Sequence, residues 1–328
     1  MLSRFCRTFG RSLVVGCAVA AAWCGGGGGT STTGPPSSAV SPSPVTPEDP
    51  PFTPTPLPTP TPTPGPITGT TNWVNIVGDT GFCGSPVMGQ LSRLINDLGG
   101  DLLLAGDIAY PSGTLDQYMK CFDPDLGRFR TRIWAAPGNH EYETPGATGY
   151  FTYFGERAGP ERRGFYAIRE STWQVLMLNS NLPMARNSPQ WEFARQQLST
   201  NPARCAMAIM HHPFDTSGPN GPNPNQRDLW AMMYELGLDV VVSGHDHIYE
   251  RHGPQDASQR ADPARGIRLF IAGTGGATPY QRARAAAHSE VFLSVQGLLR
   301  LKLEPALYEW EFVDTNGTVR DRGLNICH

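Results

Sequence analysis

Five short segments within about 170 residues carry side chains that bind metal ions: Gly78-Asp79-Thr80-Gly81, Gly106-Asp107-Ile108-Ala109-Tyr110, Gly138-Asn139-His140-Glu141, Ile209-Met210-His211-His212 and Gly244-His245-Asp246-His247. Five of the eight histidines of the chain fall inside them. Any one segment is weak, since Asp-Gly is ordinary turn chemistry and most exposed histidines bind nothing. Together, the five supply carboxylate, amide, phenol and imidazole donors for two adjacent cations, which is the equipment of metal-assisted hydrolysis.

Each segment follows an apolar run of strand length. Trp73 to Val77 leads into Asp79, Asp101 to Ala105 into Asp107, Ile133 to Ala136 into Asn139, Cys205 to Met210 into His211, and Asp239 to Val242 into His245. The continuous apolar character of these runs predicts strands buried on both faces. Val87, Leu91, Leu94, Ile95 and Leu98 recur with helical spacing, and Ser188-Pro189 predicts an N-cap and first turn for a helix reaching Leu198. Further strands are expected at Trp173 to Leu178 and Ile267 to Ala272. From Val291 the pattern changes to alternation, with Leu299, Leu301 and Leu303 in one strand, Tyr308, Trp310 and Phe312 in the next, and a hairpin turn at Asn316-Gly317. Parallel βαβ units followed by antiparallel strands predict an α/β fold: a four-layer αββα sandwich of two mixed β-sheets flanked by helices. The donors lie at the C-terminal ends of the strands, where loops of open α/β sheets converge on ligands.

On these blocks the chain resembles the calcineurin-like metallophosphoesterases, and within them the purple acid phosphatase branch, from Val74 through Gly276. Tyr110 carries the finer resemblance: many relatives place a histidine where this chain has Gly81, and this chain offers Tyr110 instead. The resemblance implies a first metal held by Asp79, Asp107, Tyr110 and His247, and a second held by Asp107, Asn139, His211 and His245. Asp107 is the expected bridge, its two oxygens each having lone pairs to offer. Phenolate and carboxylates suit Fe(III), and the imidazoles with the Asn139 amide suit a divalent Fe, Zn or Mn partner. The implied reaction is that of an acid phosphatase, in-line attack of metal-bound hydroxide on a phosphomonoester, at a net positive site that attracts a phosphate dianion.

His140 is expected to touch the phosphoryl or leaving oxygen without binding metal. Similar sequences often carry a proton-donating histidine about nine residues after the His211 position, where this chain has Pro219-Asn220-Gly221; His212 and His252 are the candidates to replace it. Asn179, Asn181 and Tyr142 are read as rim residues with structural roles, and Tyr249, Glu250 and Arg251 as braces of the last metal loop.

Composition bounds the rest. Fourteen of the thirty-one prolines lie between Pro35 and Pro66, so residues 24–70 read as a Gly/Pro/Thr-rich disordered tether and 71–328 as one catalytic domain. Arg4, Arg7 and Arg11 precede an apolar stretch from Ser12 to Trp23, a signal-peptide pattern too short to span a bilayer. Cys24 followed by Gly25 to Gly29 resembles a lipoprotein acylation site, with Cys17 as a competing site and simple secretion as the alternative. The expected location is outside the cytoplasm, as a surface lipoprotein or a periplasmic or secreted protein. Net charge is -3, and without the leader it becomes 23 basic against 29 acidic side chains. That balance excludes a generic nucleic-acid binder, leaving a small-molecule phosphate ester as expected partner, with membrane contact only through lipid at Cys24.

Four cysteines outside the leader allow three pairings; Cys83 with Cys121 is favoured because each follows a metal segment, leaving Cys205 with Cys327. Two other functions stay open: a phosphodiesterase or nucleotidase using the same metals, and a non-catalytic surface binding protein. Sequence does not choose an oligomeric state.

Overall fold

The computed structural model describes residues Asn72 to His328; the expected signal peptide, tether and Cys24 acylation lie outside the described residues. Thirteen strands among these residues form two mixed sheets. The first sheet contains β1 (Trp73–Val77), β2 (Asp101–Ala105), β3 (Ile133–Ala136), β11 (Gly297–Leu303), β12 (Leu307–Asp314) and β13 (Val319–Ile326), in the order β13-β12-β11-β1-β2-β3. The second contains β4 (Tyr166–Glu170), β5 (Trp173–Met177), β6 (Ala206–Ile209), β7 (Val240–Ser243), β8 (Tyr249–His252), β9 (Arg268–Ala272) and β10 (Ser289–Leu293), in the order β10-β8-β9-β7-β6-β5-β4.

Side-chain alternation sorts the core into three layers. Val74, Ile76 and Leu103 point inward and share one apolar cluster with Val175, Met207 and Val242 of the second sheet. Leu102 and Leu104 point the other way, into a cluster with Val87, Leu91 and Ile95 of the helix Pro86–Leu98. On the far side Leu176, Ala208 and Val241 pack with Trp191 and Leu198 of the helix Pro189–Thr200 and Trp230 of the helix Arg227–Glu235. The expected four-layer sandwich is therefore the observed one. The Ser188 hydroxyl accepts from Trp191 N at 3.3 Å, the N-cap bond anticipated from Ser188-Pro189.

In both sheets the strands that lead into the five segments run parallel, β1 beside β2 beside β3 and β5 beside β6 beside β7 beside β9. Their C-terminal ends consequently open on the same side. The antiparallel strands β11 to β13 extend the first sheet, with Asn316-Gly317 in the hairpin turn and Gly317 at φ +83. Cysteines pair as favoured, Cys83 with Cys121 and Cys205 with Cys327, across 38 and 122 residues. In the chain-entropy description such loops stabilise by about 4 and about 5 kcal/mol.

Candidate metal centre

Three of the seven expected ligands sit in left-handed backbone, Asp79 at φ 60, Asp107 at φ 50 and His245 at φ 70. Each follows a glycine at a strand end, and the reversal of φ turns the side chain back across the top of the sheet. Such conformations cost about 1 kcal/mol or more in a non-glycine residue, and they gather where function demands them. Gly138 allows a close approach: a Cβ there would meet Asp107 Oδ1 at 2.1 Å.

The donors gather into two nests. Tyr110 Oη lies 3.0 Å from Asp79 Oδ1, 3.3 Å from Asp107 Oδ2 and 3.4 Å from His247 Nε2. His211 Nε2 lies 3.1 Å from Asp107 Oδ2, 3.1 Å from Asn139 Oδ1 and 3.2 Å from His245 Nδ1. The structure thus brings together the seven residues named from the sequence, with His245 and His247 in different nests. Oδ2 of Asp107 stands between the nests, and Oδ1 accepts the backbone N–H of His140 at 2.9 Å.

The tautomers fit a cation. His211 Nδ1 is 2.8 Å from the Ala105 carbonyl and must donate to it, which leaves the lone pair on Nε2 facing two oxygens. His247 Nδ1 donates to Thr278 O at 3.1 Å, so its Nε2 lone pair faces Asp79 and Tyr110. Lone pairs converging at this distance, on side chains with little or no exposure, require positive charge between them. Without metal the only source is a proton. Burial opposes it on His211, yet the Asp107 carboxylate prevails and raises the imidazole to about 9.

The remaining shifts suit metal binding as well. Burial disfavours the charge on Asp107, but His211 and His140 outweigh it and hold the carboxyl well below its usual range. Burial, then His211, lowers His245 to about 2 and His212 to about 3, so both imidazoles stay neutral. Burial together with Asp79 and Asp107 pushes the Tyr110 phenol far above its ordinary value, so ionising it requires a cation at its oxygen. Asp107, His211 and His245 also stand out on geometry alone, each presenting a ligand atom within 4.8 Å of the others.

Around the nests, His140 is held by Nδ1 against the Pro111 carbonyl, with Nε2 3.8 Å from Asp107 Oδ2 and about a third of its side chain exposed. His212 packs on His245, ring centroids 4.4 Å apart, and its backbone N–H donates to Ser180 Oγ at 3.0 Å. The same hydroxyl faces His212 Nδ1 at 2.7 Å. His252 is fully buried on β8 beside Glu250, 3.3 Å away, which removes it from contact with any substrate and corrects its candidacy as proton donor. Asn179, Asn181 and Tyr142 tie loops together as anticipated: Asn179 Nδ2 donates to Tyr142 Oη at 2.7 Å and Asn181 Nδ2 to Gly138 O at 3.1 Å. Glu250 accepts from Ser217 N at 2.8 Å, while Tyr249 and Arg251 both bond Asp321 on β13.

Sequence reasoning passed over Glu141. It is fully buried, accepts from Asp107 N at 2.9 Å and Gly138 N at 2.7 Å through one oxygen, and from Ile108 N at 2.9 Å and Tyr118 Oη at 3.1 Å through the other. Its place as third residue of the helix Asn139–Glu143 after the Gly138 cap was the available signal.

A family model for calcineurin-like phosphoesterases matches residues 73–249, more than half of the chain. The chain belongs to that family. Among curated relatives of this calcineurin-like phosphoesterase, phosphoenolpyruvate phosphatase of Allium cepa is 25% identical over 205 residues, covering 54% of this chain and 41% of the relative. Purple acid phosphatase 15 of Arabidopsis thaliana is 22% identical over 244 residues, covering 62% and 44%. The chain thus spans less than half the length of these relatives. In three dimensions it is similar to purple acid phosphatase PPD1 from yellow lupin (Lupinus luteus) seeds, with TM-score 0.67, 20% identity and coverage of 77% of this chain and 53% of that one. GAP50, the anchor in the inner membrane complex of Plasmodium, gives TM-score 0.61 at 14% identity, covering 78% and 89%.

Proposed function

We propose that this calcineurin-like phosphoesterase is an acid-phosphatase-type hydrolase of phosphomonoesters, with a dinuclear centre in which Asp79, Asp107, Tyr110 and His247 hold Fe(III), and Asp107, Asn139, His211 and His245 hold a divalent Fe, Zn or Mn. The single observation that carries this reading is the position of Asp107 Oδ2, 3.3 Å from Tyr110 Oη in one nest and 3.1 Å from His211 Nε2 in the other. When bound, the cations supply positive charge that offsets the phosphoryl oxygens and acidifies water.

The surrounding residues orient the ester. His140 has Nδ1 committed to Pro111 O, so only Nε2 is free to hydrogen-bond the phosphoryl or leaving oxygen. His212 is also free at one nitrogen only. Ser180 Oγ accepts the His212 backbone N–H and also engages Nδ1, which leaves Nε2 to meet the ester. Burial disfavours a charge on that ring, which suits a hydrogen-bonding role.

Export rests on the two disulfides, which persist in oxidising compartments. No helix of the described residues is long and apolar enough to cross a membrane; lipid at Cys24 would be the anchor. Metal analysis of the purified full chain, with rates on a phosphomonoester, a phosphodiester and a nucleotide, tests the reading. Two metals per chain and fastest turnover of the monoester are expected. A metal-free chain without hydrolysis overturns it, and a faster diester moves the substrate class while keeping the centre.

A further inference from the structure

Phe82 is 43% exposed three residues after Asp79, with its ring centroid 5.1 Å from that of Tyr110. The backbone fixes it on both sides. Gly81, at φ +58, lies so near Ile108 that a Cβ would meet the Ile108 carbonyl oxygen at 2.0 Å, and its own carbonyl accepts from Tyr110 N at 3.3 Å. Cys83 is bonded to Cys121, and the Phe82 carbonyl accepts from Ser85 N at 3.0 Å.

A single exposed phenylalanine is ordinary. Its place in a row of rings is not. From Phe82 the row continues to Tyr110, then edge-on to His247 at 6.4 Å, and ends in Tyr280, stacked on His247 at 4.1 Å and 19°. The two middle rings carry their polar atoms into the metal centre, 3.4 Å apart. The two outer rings extend flat apolar surface to either side. Tyr280 is also fixed, its N–H donating to His247 O at 2.9 Å.

We propose that Phe82 forms the subsite for the alcohol portion of the ester and selects planar aromatic leaving groups over aliphatic ones. The proposal rests on the phosphatase reading above. An aromatic leaving group makes edge-to-face or offset contact with Phe82 while its phosphoryl group lies at the centre. A polyol or alkyl group makes no such contact and leaves Phe82 hydrated.

Non-hydrolysable phosphonates separate affinity from leaving-group reactivity. On the full metal-loaded chain, phenylphosphonate is expected to inhibit roughly ten-fold more tightly than methylphosphonate. Phe82→Ala should bring the two inhibition constants close together, and Phe82→Trp should restore the gap. Calorimetric binding of the two phosphonates provides a readout independent of turnover. An equal ratio in wild type, or a ratio unmoved by Phe82→Ala, overturns the subsite, as does an equal weakening of both phosphonates, which would mean that Phe82 only supports Tyr110. Wild type that hydrolyses no phosphate ester overturns the phosphatase reading as well, whereas intact hydrolysis without aryl preference overturns the subsite alone.

Discussion

The Glu141 carboxylate accepts the backbone N–H of Asp107 at 2.9 Å across 34 positions of sequence, and with the same oxygen it accepts that of Gly138 at 2.7 Å. A residue with no ligand role thereby sets the backbone of the shared ligand. Replacing it with glutamine leaves one oxygen for donors now served by two, and brings an amide N–H against other N–H groups. Glu141→Gln is expected to destabilise the chain by about 2–4 kcal/mol in urea denaturation and to lower metal content at the centre. Unchanged stability and full metal occupancy would contradict this role.

His140 separates support from binding. His140→Ala should lower turnover roughly a hundred-fold while elemental analysis still finds both metals. Loss of metal in that variant would move His140 into the ligand set.

Tyr110→Phe removes a hydroxyl that faces Asp79, Asp107 and His247. If the first nest holds Fe(III), the wild-type protein is purple and the variant loses the phenolate charge-transfer band. A colourless, zinc-only active wild type rejects iron and keeps the hydrolase.

Ser180→Ala takes away the acceptor of the His212 N–H and the partner of Nδ1 together. The expected outcome is about a ten-fold fall in kcat/KM with metal content intact, partly restored by Ser180→Thr. In combination with His212→Ala the losses should not add, since both act through one imidazole. Additive losses in a double-mutant cycle would place Ser180 outside this unit.

Asp239 offers a pH test away from the metal centre. Burial raises its carboxyl to about 7, against the N–H groups of Ala206 and His328 that favour its charge. The folded state therefore holds this proton more tightly than the unfolded chain, whose aspartate titrates near 3.8. Its contribution to stability is full below that value and is lost as pH rises through about 7. Asp239→Asn should gain on wild type by a few kcal/mol between pH 4 and 8, read as the difference between urea curves. A constant difference across that range refutes the shift.

The five segments were legible because each is local: a glycine, a donor and the end of an apolar run stand next to one another in the chain. The parallel strands behind them and both disulfides followed from the same pattern. Glu141 was hidden because its work is done on backbone N–H groups 33 and 34 positions away, and a buried acceptor has no periodicity. His252 was misread because composition shows a histidine near a metal loop and only the fold shows it enclosed beside Glu250. The strand β4, Tyr-Ala-Ile-Arg-Glu, was missed because it is only alternately buried and so lacks the continuous apolar run of its neighbours. Phe82 gave no signal until the turn that carries it was seen beside Tyr110.

The left-handed backbone at Asp79, Asp107 and His245 also bears on how this lineage changes. Glycine at any of the three would relieve the backbone and remove a donor in the same substitution, so the demands of stability and of the centre oppose each other at these positions.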